Sequence, residues 1–147
     1  MERADFLRMT ILLVEDSRFL RVASTRALVN AGYDVVSAAD GEAALLTARE
    51  RLPNLILLDM MLPKLDGLGV LRALKRDPQT ANIPVIVLTG LGKNNEWKLK
   101  QEGAAAYITK SDSLLVDGSA TLLHVVESVV GKQEKEVLTA EISAPAN

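Results

Sequence analysis

Four apolar stretches of the chain run into side chains that can do chemistry. The polar residues are Glu15-Asp16, Asp59, Thr89 and Lys110, and they follow the apolar runs 11–14, 55–58, 85–88 and 105–108. An apolar run of this length is typical of a strand buried on both faces of a parallel sheet. A carboxylate inside such a strand would be buried without a partner, at a large cost in free energy. The polar residues are therefore expected at the carboxyl ends of the strands, where open α/β sheets bind their ligands.

Three carboxylates, those of Glu15, Asp16 and Asp59, are expected to meet at this edge of the sheet. They would repel one another and raise one another's pKa, and a divalent cation would relieve that repulsion. Because the set contains only oxygen ligands, it favours Mg²⁺ or Mn²⁺. The hydroxyl of Thr89 and the ammonium of Lys110 would suit a phosphoryl group. A carboxylate can accept that group as an acyl phosphate, so the placement predicts a Mg²⁺-dependent aspartyl-phosphorylation site.

Each of these residues also has a simpler structural explanation. Glu15-Asp16 could be an acidic pair that favours a helix start, and Asp59 could be a turn carboxylate. Thr89 could merely end a strand, and Lys110 could be a solvated surface lysine. These explanations would have to coincide at four strand ends, and that requirement favours a functional site.

The elements that must position these residues alternate along the chain. Five strand-then-helix units with short connections predict a parallel sheet with right-handed crossovers and helices on both faces. The weaker strand at Val35-Val36 is expected near a sheet edge, and Ser17 is expected to cap the first helix. We expect a charged leader over 1–8, one domain over 9–131, and a polar C-terminal tail over 132–147 that is frayed at its end.

Composition excludes several classes of protein. The chain of 147 residues has the length of one domain, and its net charge of −2 gives no electrostatic case for direct contact with nucleic acid or an anionic membrane. It contains no cysteine, which excludes disulfides and thiolate chemistry. It has no apolar run of about 18 residues that could span a membrane, and its first residues lack the apolar core of a signal peptide. We therefore expect a cytoplasmic protein.

The chain resembles a response-regulator receiver domain of bacterial two-component signalling, over about residues 9–131. The matching features are the acidic pair after strand 1, Asp59 at the head of a D-x-x-[L/M]-P-x-x-D-G segment, Thr89 after strand 4 and Lys110 after strand 5. Tyr107 lies three residues before that lysine, where the family keeps an aromatic switch. The resemblance implies a flavodoxin-like (βα)5 fold with a five-stranded parallel sheet of order 2-1-3-4-5.

The resemblance also implies a role for each residue. Asp59 would accept the phosphoryl group from a histidine kinase or phosphotransfer protein. The ligands implied for Mg²⁺ are Asp16, Asp59 and the backbone carbonyl of Met61, with help from Glu15. Lys110 would pair with the phosphoryl group, and the switch residues would respond to it: Thr89 would move to donate a hydrogen bond, and Tyr107 would rotate inward.

Three features depart from the family pattern. Glu15 stands where Asp is commoner, Ser111 follows Lys110 where most members have proline, and the loop 111–118 looks longer than usual. The family's Lys-Pro bond is cis. A cis bond without proline costs roughly 3–4 kcal/mol. Because the longer loop can adopt other backbone paths, we favour a trans Lys110–Ser111 bond over a strained cis one.

The resemblance implies a phosphorylation-controlled switch that signals through the face made by helix 4, strand 5 and helix 5. An unknown downstream protein would bind there, and a phosphorylation-dependent homodimer is left open. The 16 residues after Gly131 are too few for an output domain, so the chain is expected to be either a stand-alone regulator or a piece of a longer one.

Two other functions fit part of the pattern. A small Mg²⁺-dependent phosphatase or hydrolase could use Asp59 as its nucleophile. Such enzymes generally carry an acid two residues later, where this chain has Met61. A receiver-like protein that never takes phosphate is disfavoured by the intact set of acid pair, Asp59, Thr89 and Lys110.

The expected chemistry is limited to self-phosphorylation from a phosphodonor and slow self-dephosphorylation, without a further enzymatic activity. Met61 and Leu91 lie two residues after Asp59 and Thr89 and should flank the line along which water attacks the acyl phosphate. Neither side chain can orient water, and their bulk should shield the phosphorus.

Overall fold

The structure is a computed structural model that describes residues 8–62, 65–90, 96–110 and 119–143, with the backbone alone for 96 and 133–143. Its centre is a parallel sheet of five strands in the order β2-β1-β3-β4-β5. The strands are β1 (Thr10–Val14), β2 (Asp34–Ala38), β3 (Leu55–Asp59), β4 (Val85–Thr89) and β5 (Ala106–Thr109). The predicted α/β fold class and strand order are confirmed, and the weaker strand at Val35-Val36 lies at a sheet edge as expected.

The helices of the described residues alternate with these strands. They are α1 (Arg18–Asn30), α2 (Gly41–Arg51), α3 (Gly67–Arg76), α4 (Glu96–Gln101) and α5 (Ala120–Ser143). None of them is long and apolar enough to cross a lipid bilayer. The helix expected from about Lys93 is described only from Glu96, because residues 91–95 lie outside the described part of the chain.

Helix α5 is longer than the sequence analysis expected. It continues through Gly131 to Ser143 and so into the segment 132–147 that was predicted as a polar tail. The reason is helix propensity: Lys, Gln, Glu, Leu and Ala dominate this segment, and its first proline is Pro145. A polar composition is compatible with a helix and need not mark its end. The domain bounds 9–131 stay a prediction.

Three helices begin with a side-chain cap immediately after the carboxyl edge of the sheet. The capping oxygens of Ser17, Asp40 and Asp66 accept hydrogen bonds from the amides of Leu20 (3.4 Å), Ala43 (2.8 Å) and Gly69 (2.8 Å), respectively. Such caps satisfy amides that the first helical turn leaves without partners. They also fix where each loop at this edge turns into its helix.

The two faces of the sheet carry separate apolar cores, because successive residues of a strand point to opposite faces. One core joins the sheet to α2, α3 and α4, and the other joins it to α1 and α5. The buried strand residues of the first core are Leu12, Val14, Ala38, Ile56, Leu58, Val85 and Val87. Those of the second are Ile11, Leu13, Leu55, Leu57, Ile86, Leu88 and Ile108.

Two glycines allow helix starts to approach the loop that follows β3. The Gly67 amide donates to the carbonyl oxygen of Met60 (3.1 Å), and a Cβ on Gly67 would overlap backbone atoms of Asp59 and Met60. A Cβ on Gly41 would overlap the carbonyl oxygen of Leu65. The loop between β3 and α3 is therefore held at its beginning by α3 and near its end by α2.

We predict that Gly67→Ala lowers the free energy of unfolding by about 1–3 kcal/mol, because its methyl group meets backbone that cannot rotate away. Chemical denaturation monitored by circular dichroism measures the change. Gly131→Ala is the matched control, since Gly131 lies in α5 and a methyl group on it would meet no described atom within 4 Å apart from its chain neighbours and the adjacent backbone of its own helix. That substitution should be neutral or stabilising by up to about 1 kcal/mol. Equal stability of the two variants would contradict the close approach at Gly67.

Candidate functional site

The carboxyl edge of the sheet brings together the acidic residues that the sequence places after β1 and β3. These strands are neighbours, with Val14 level with Leu58, so the residues that follow them lie side by side. Glu15, Asp16 and Asp59 each offer a carboxylate oxygen, and these oxygens lie within 4.8 Å of one another. Glu15 and Asp59 are buried, whereas Asp16 is exposed. The predicted convergence of three carboxylates is therefore what the structure shows.

Lys110 supplies the positive charge at this cluster. Its ammonium nitrogen lies 2.8 Å from Oδ2 of Asp59 and 3.3 Å from Oε1 of Glu15. The two carboxylates are almost wholly removed from water, with Asp59 0% and Glu15 2% exposed. Charges buried in this way are tolerated when they are paired and hydrogen-bonded. Lys110 thus offsets much of the repulsion between the two buried acids.

The other carboxylate oxygens are held by backbone amides. Oδ1 of Asp59 accepts a hydrogen bond from the Met61 amide at 3.0 Å, and Oε2 of Glu15 accepts one from the Ser17 amide at 3.2 Å. The Met61 side chain is 74% exposed and lines the cavity that Thr89 also borders. The Met61 backbone is therefore fixed at the site although its side chain is not.

Burial next to Asp59 changes the pKa of Glu15. Burial, followed by its hydrogen bond with Asp59, raises the pKa of the Glu15 carboxyl from 4.5 to about 7, against the opposing Ser17 amide and Lys110 ammonium. Burial acts to lower the pKa of Lys110, but the hydrogen bond to Asp59 and the negative charges of Glu15 and Asp59 outweigh it and raise that pKa. Without a cation, part of the negative charge at this edge is therefore neutralised by a proton.

The donor set fits a hard divalent cation. All three acidic side chains present oxygen, which Mg²⁺ and Mn²⁺ prefer over the nitrogen and sulfur ligands of softer metals. The spread of 4.8 Å lets oxygens from all three residues contact a single ion. A cation there would take over the role that the proton on Glu15 plays without it.

Thr89 and Tyr107 lie on β4 and β5, the two strands on one side of β3. Thr89 ends β4, is 3% exposed, and lines a cavity of about 350 Å³ together with Met60, Met61 and Leu68. Tyr107 is half-buried on β5, level with Val87 of β4, and packs against the core shared with α2, α3 and α4. Thr89 thus lies at the same edge of the sheet as the acidic cluster, and Tyr107 lies on the strand that leads to Lys110.

Arg21 is a residue of this site that the sequence analysis missed. Its guanidinium nitrogen Nη1 donates to the backbone carbonyl oxygens of Glu15 (2.9 Å) and Asp16 (3.3 Å). In the sequence, Arg21 could have been noticed as a basic residue near the start of a helix, where the helix dipole disfavours positive charge. Several expectations lie outside the described residues, namely those for Leu91, the Lys110–Ser111 bond, the loop 111–118, nearly all of the leader 1–8 and the frayed end of the C-terminal tail.

A comparison with protein families matches residues 11–117 to the family described as the response regulator receiver domain. Among curated proteins, the chain is 39% identical over 107 residues to the polar-differentiation response regulator DivK of Brucella anthropi, covering 71% of this chain and 86% of DivK. It is 42% identical over 102 residues to the DNA-binding dual master transcriptional regulator RpaA of a Synechocystis species, covering 68% of this chain and 42% of RpaA.

Among solved structures, the chain is similar to the receiver domain of a sensor histidine kinase from Pseudomonas aeruginosa, with a TM-score of 0.74 and 28% identity. The match covers 84% of this chain and 98% of that domain, whose active-site cleft coordinates a magnesium ion.

The chain spans less than half the length of several relatives that it matches. Because relatives such as RpaA are named as transcriptional regulators, the comparisons do not support the expectation that nucleic acid is excluded. That expectation rested on the net charge of this chain alone, which carries no information about segments that only the longer relatives contain.

We predict that metal-free protein loses stability as the pH rises, through Glu15. The pKa of this carboxyl is higher in the folded state, at about 7, than its ordinary value of 4.5. Its proton therefore stabilises the fold below the ordinary value, and that contribution is lost as the pH rises through about 7. Glu15→Gln mimics the protonated form, so it should match the wild type at low pH and exceed it at high pH.

Thermal or urea denaturation in EDTA, from about pH 5 to about pH 8, measures this difference. Glu50→Gln removes an exposed carboxylate and controls for the loss of one charge. A stability difference between wild type and Glu15→Gln that stays constant with pH would refute the assignment.

Proposed function

Because this chain belongs to the response regulator receiver domain family, we propose that it is a phosphorylation-controlled signalling switch in which Asp59 accepts a phosphoryl group from a histidine kinase or a phosphotransfer protein. The observation that carries the proposal is the contact of 2.8 Å between the Lys110 ammonium and Asp59, inside a cluster of three carboxylates. This arrangement joins a nucleophilic oxygen to a cation that can pair with a phosphoryl oxygen.

In the proposed transfer, a carboxylate oxygen of Asp59 forms a bond to phosphorus while the phosphorus–nitrogen bond of a phosphohistidine breaks. The imidazole leaves with the electron pair of that bond. The Lys110 ammonium neutralises charge on the phosphoryl oxygens, which reduces the barrier because charge spreads over those oxygens in the transition state. The Met61 amide holds Asp59 in position through its hydrogen bond to Oδ1.

Mg²⁺ or Mn²⁺ is the proposed cofactor, held by Glu15, Asp16, Asp59 and the backbone carbonyl of Met61. When bound, it supplies positive charge that draws the phosphoryl oxygens and the carboxylates together. Support for this part comes from the oxygen-only donor set and from the magnesium ion in the similar Pseudomonas aeruginosa domain.

The proposed response to phosphorylation begins at Thr89, which borders the cavity next to Asp59. Its hydroxyl would move to donate to the phosphoryl group, and Tyr107 would rotate inward behind it. The face formed by α4, β5 and α5 would then bind a downstream protein or a second copy of the chain. We place this activity in the cytoplasm, either for the chain alone or for a longer regulator that contains it.

The alternative is a small Mg²⁺-dependent phosphatase or hydrolase that uses Asp59 as its nucleophile. It is the weaker proposal, because Met61 occupies the position where such enzymes place an acid and because receiver domains typically are not enzymes in that sense. Self-phosphorylation from a small phosphodonor and slow loss of phosphate are the reactions that we propose for this chain.

We predict that acetyl phosphate with Mg²⁺ adds one phosphoryl group to the chain and that Asp59→Asn abolishes the addition. Intact-mass spectrometry detects the added mass. Asp34→Asn changes an exposed aspartate at the start of β2 and should be labelled like the wild type. Undiminished labelling of Asp59→Asn, or labelling of the wild type in excess EDTA, would contradict the proposal.

We predict that the wild type loses its phosphoryl group slowly and that Met61→Asn speeds the loss about tenfold, which corresponds to roughly 1.4 kcal/mol of activation free energy. An asparagine can orient the attacking water, whereas methionine cannot. Because the Met61 side chain is 74% exposed, the substitution should leave the core intact. Phosphate release from purified phosphoprotein in Mg²⁺ gives the rates, and Met61→Leu is the apolar control. Loss within seconds from the wild type, or equal rates for the asparagine and leucine variants, would contradict the shielding by Met61.

A further inference from the structure

Arg21 connects helix α1 to the loop that carries two of the acidic side chains. Its guanidinium donates to the carbonyl oxygens of Glu15 and Asp16, which precede the cap of its own helix. The Arg21 amide makes the first hydrogen bond of α1, to the carbonyl oxygen of Ser17 at 2.9 Å. Arg21 therefore contacts the loop with both its backbone and its side chain.

The position of the Asp16 carboxylate depends on the backbone of this loop. Glu15 is buried, its amide donates to the carbonyl oxygen of Ala38 at 3.1 Å, and its side chain accepts from Ser17. Asp16 is exposed, so packing around its side chain does little to hold it in place. The bond from Arg21 to the Asp16 carbonyl restrains the backbone at this point.

The location of Arg21 has an electrostatic cost. A cation near the start of a helix is disfavoured by the helix dipole, and the first turn of α1 contains no acid to compensate. Arg18, the first residue of α1, shares this cost, so the observation specific to Arg21 is its pair of hydrogen bonds to the carbonyl oxygens of Glu15 and Asp16. Real proteins break local preferences of this kind at functional sites.

We propose that Arg21 is a positioning residue for the metal site, which fixes the loop of Glu15 and Asp16 so that both carboxylates face Asp59. This inference rests on the proposed function, because it assumes that these carboxylates bind Mg²⁺. Arg21 acts through the loop backbone and does not contact the metal or the phosphoryl group. Groups that orient metal ligands in this indirect way typically change metal affinity by 10- to 100-fold when they are removed.

Charge and geometry make opposite predictions for Arg21. A positive charge near the site repels Mg²⁺, so removing that charge alone should tighten metal binding. Loss of the carbonyl contacts should instead weaken binding, because the loop must be ordered when the metal binds. The sign of the change in affinity therefore separates a positioning role from a simple electrostatic one.

The experiment is calorimetric titration of Mg²⁺ into wild type, Arg21→Leu, Arg21→Lys and Arg26→Leu. We expect Arg21→Leu to bind Mg²⁺ about tenfold more weakly than the wild type, with Arg21→Lys between them. Arg26 is an exposed arginine of the same helix, and its replacement controls for the loss of one positive charge. Arg26→Leu should bind as the wild type does or slightly more tightly.

Hydrogen exchange without metal gives an independent readout. The Ser17 amide donates to Glu15 and should exchange faster in Arg21→Leu than in the wild type, because the loop that carries Glu15 is less restrained. Exchange in Arg26→Leu should be unchanged. If Arg21→Leu does not fold, Arg21→Lys decides the question, and wild-type affinity and exchange in that variant would overturn the positioning role.

The outcomes for Arg21 and for the proposed function can be told apart. Wild-type Mg²⁺ binding together with equal or tighter binding by Arg21→Leu would overturn only the role of Arg21. Failure of the wild type to bind Mg²⁺ would instead count against the metal site itself, and so against the proposed function.

Discussion

The contact between the Lys110 ammonium and two buried carboxylates is the interaction on which the carboxyl edge of the sheet depends. Asp59 and Glu15 are removed from water, and a pair of buried acids without a counter-ion would be strongly unfavourable. Lys110 approaches both from the end of β5, two strands away from β3 in the sheet. The strand order is therefore an electrostatic requirement of the site as well as a packing arrangement.

The same constraint explains why the acids stay close together. The Met61 and Ser17 amides bind the carboxylate oxygens that Lys110 does not contact, and Glu15 retains a proton to about neutral pH. The site thus combines an ammonium, backbone amides and a proton on Glu15, each of which reduces the repulsion. A cation or a phosphoryl group that binds at this edge of the sheet therefore contacts carboxylates and an ammonium that already lie close together.

Much of the fold and of the candidate site could be predicted from the sequence, because buried parallel strands have a simple pattern. Runs such as 55–58 must be buried on both faces, and a polar residue that follows them must lie at the strand end. This rule located Asp59 and Thr89 without knowledge of their neighbours. The same rule predicted that Lys110 lies at a strand end, although only the structure gives its distances to Asp59 and Glu15.

The rest depends on distances between segments that are far apart in the sequence. Arg21 reaches back over a helical turn to carbonyl oxygens, and no periodic pattern of side chains marks such a contact. The close approach of Gly41 to Leu65 likewise joins the start of α2 to the loop before α3, and neither segment alone indicates it. The length of α5 was underestimated for a different reason, since polarity was taken as its end where helix propensity continues it.

The length of α5 has a mechanical consequence. The helix has 24 residues, which at the usual rise per residue makes a rod of roughly 36 Å. Among the side chains of α5 that the structure describes, Leu122, Val126 and Val130 are buried in the core that α5 shares with the sheet. If such a rod tilts about these contacts, each residue moves in proportion to its distance from them, so the displacement is larger at Ser143 than beside the sheet. A rearrangement too small to matter beside β5 can thus be large at the far end of this helix.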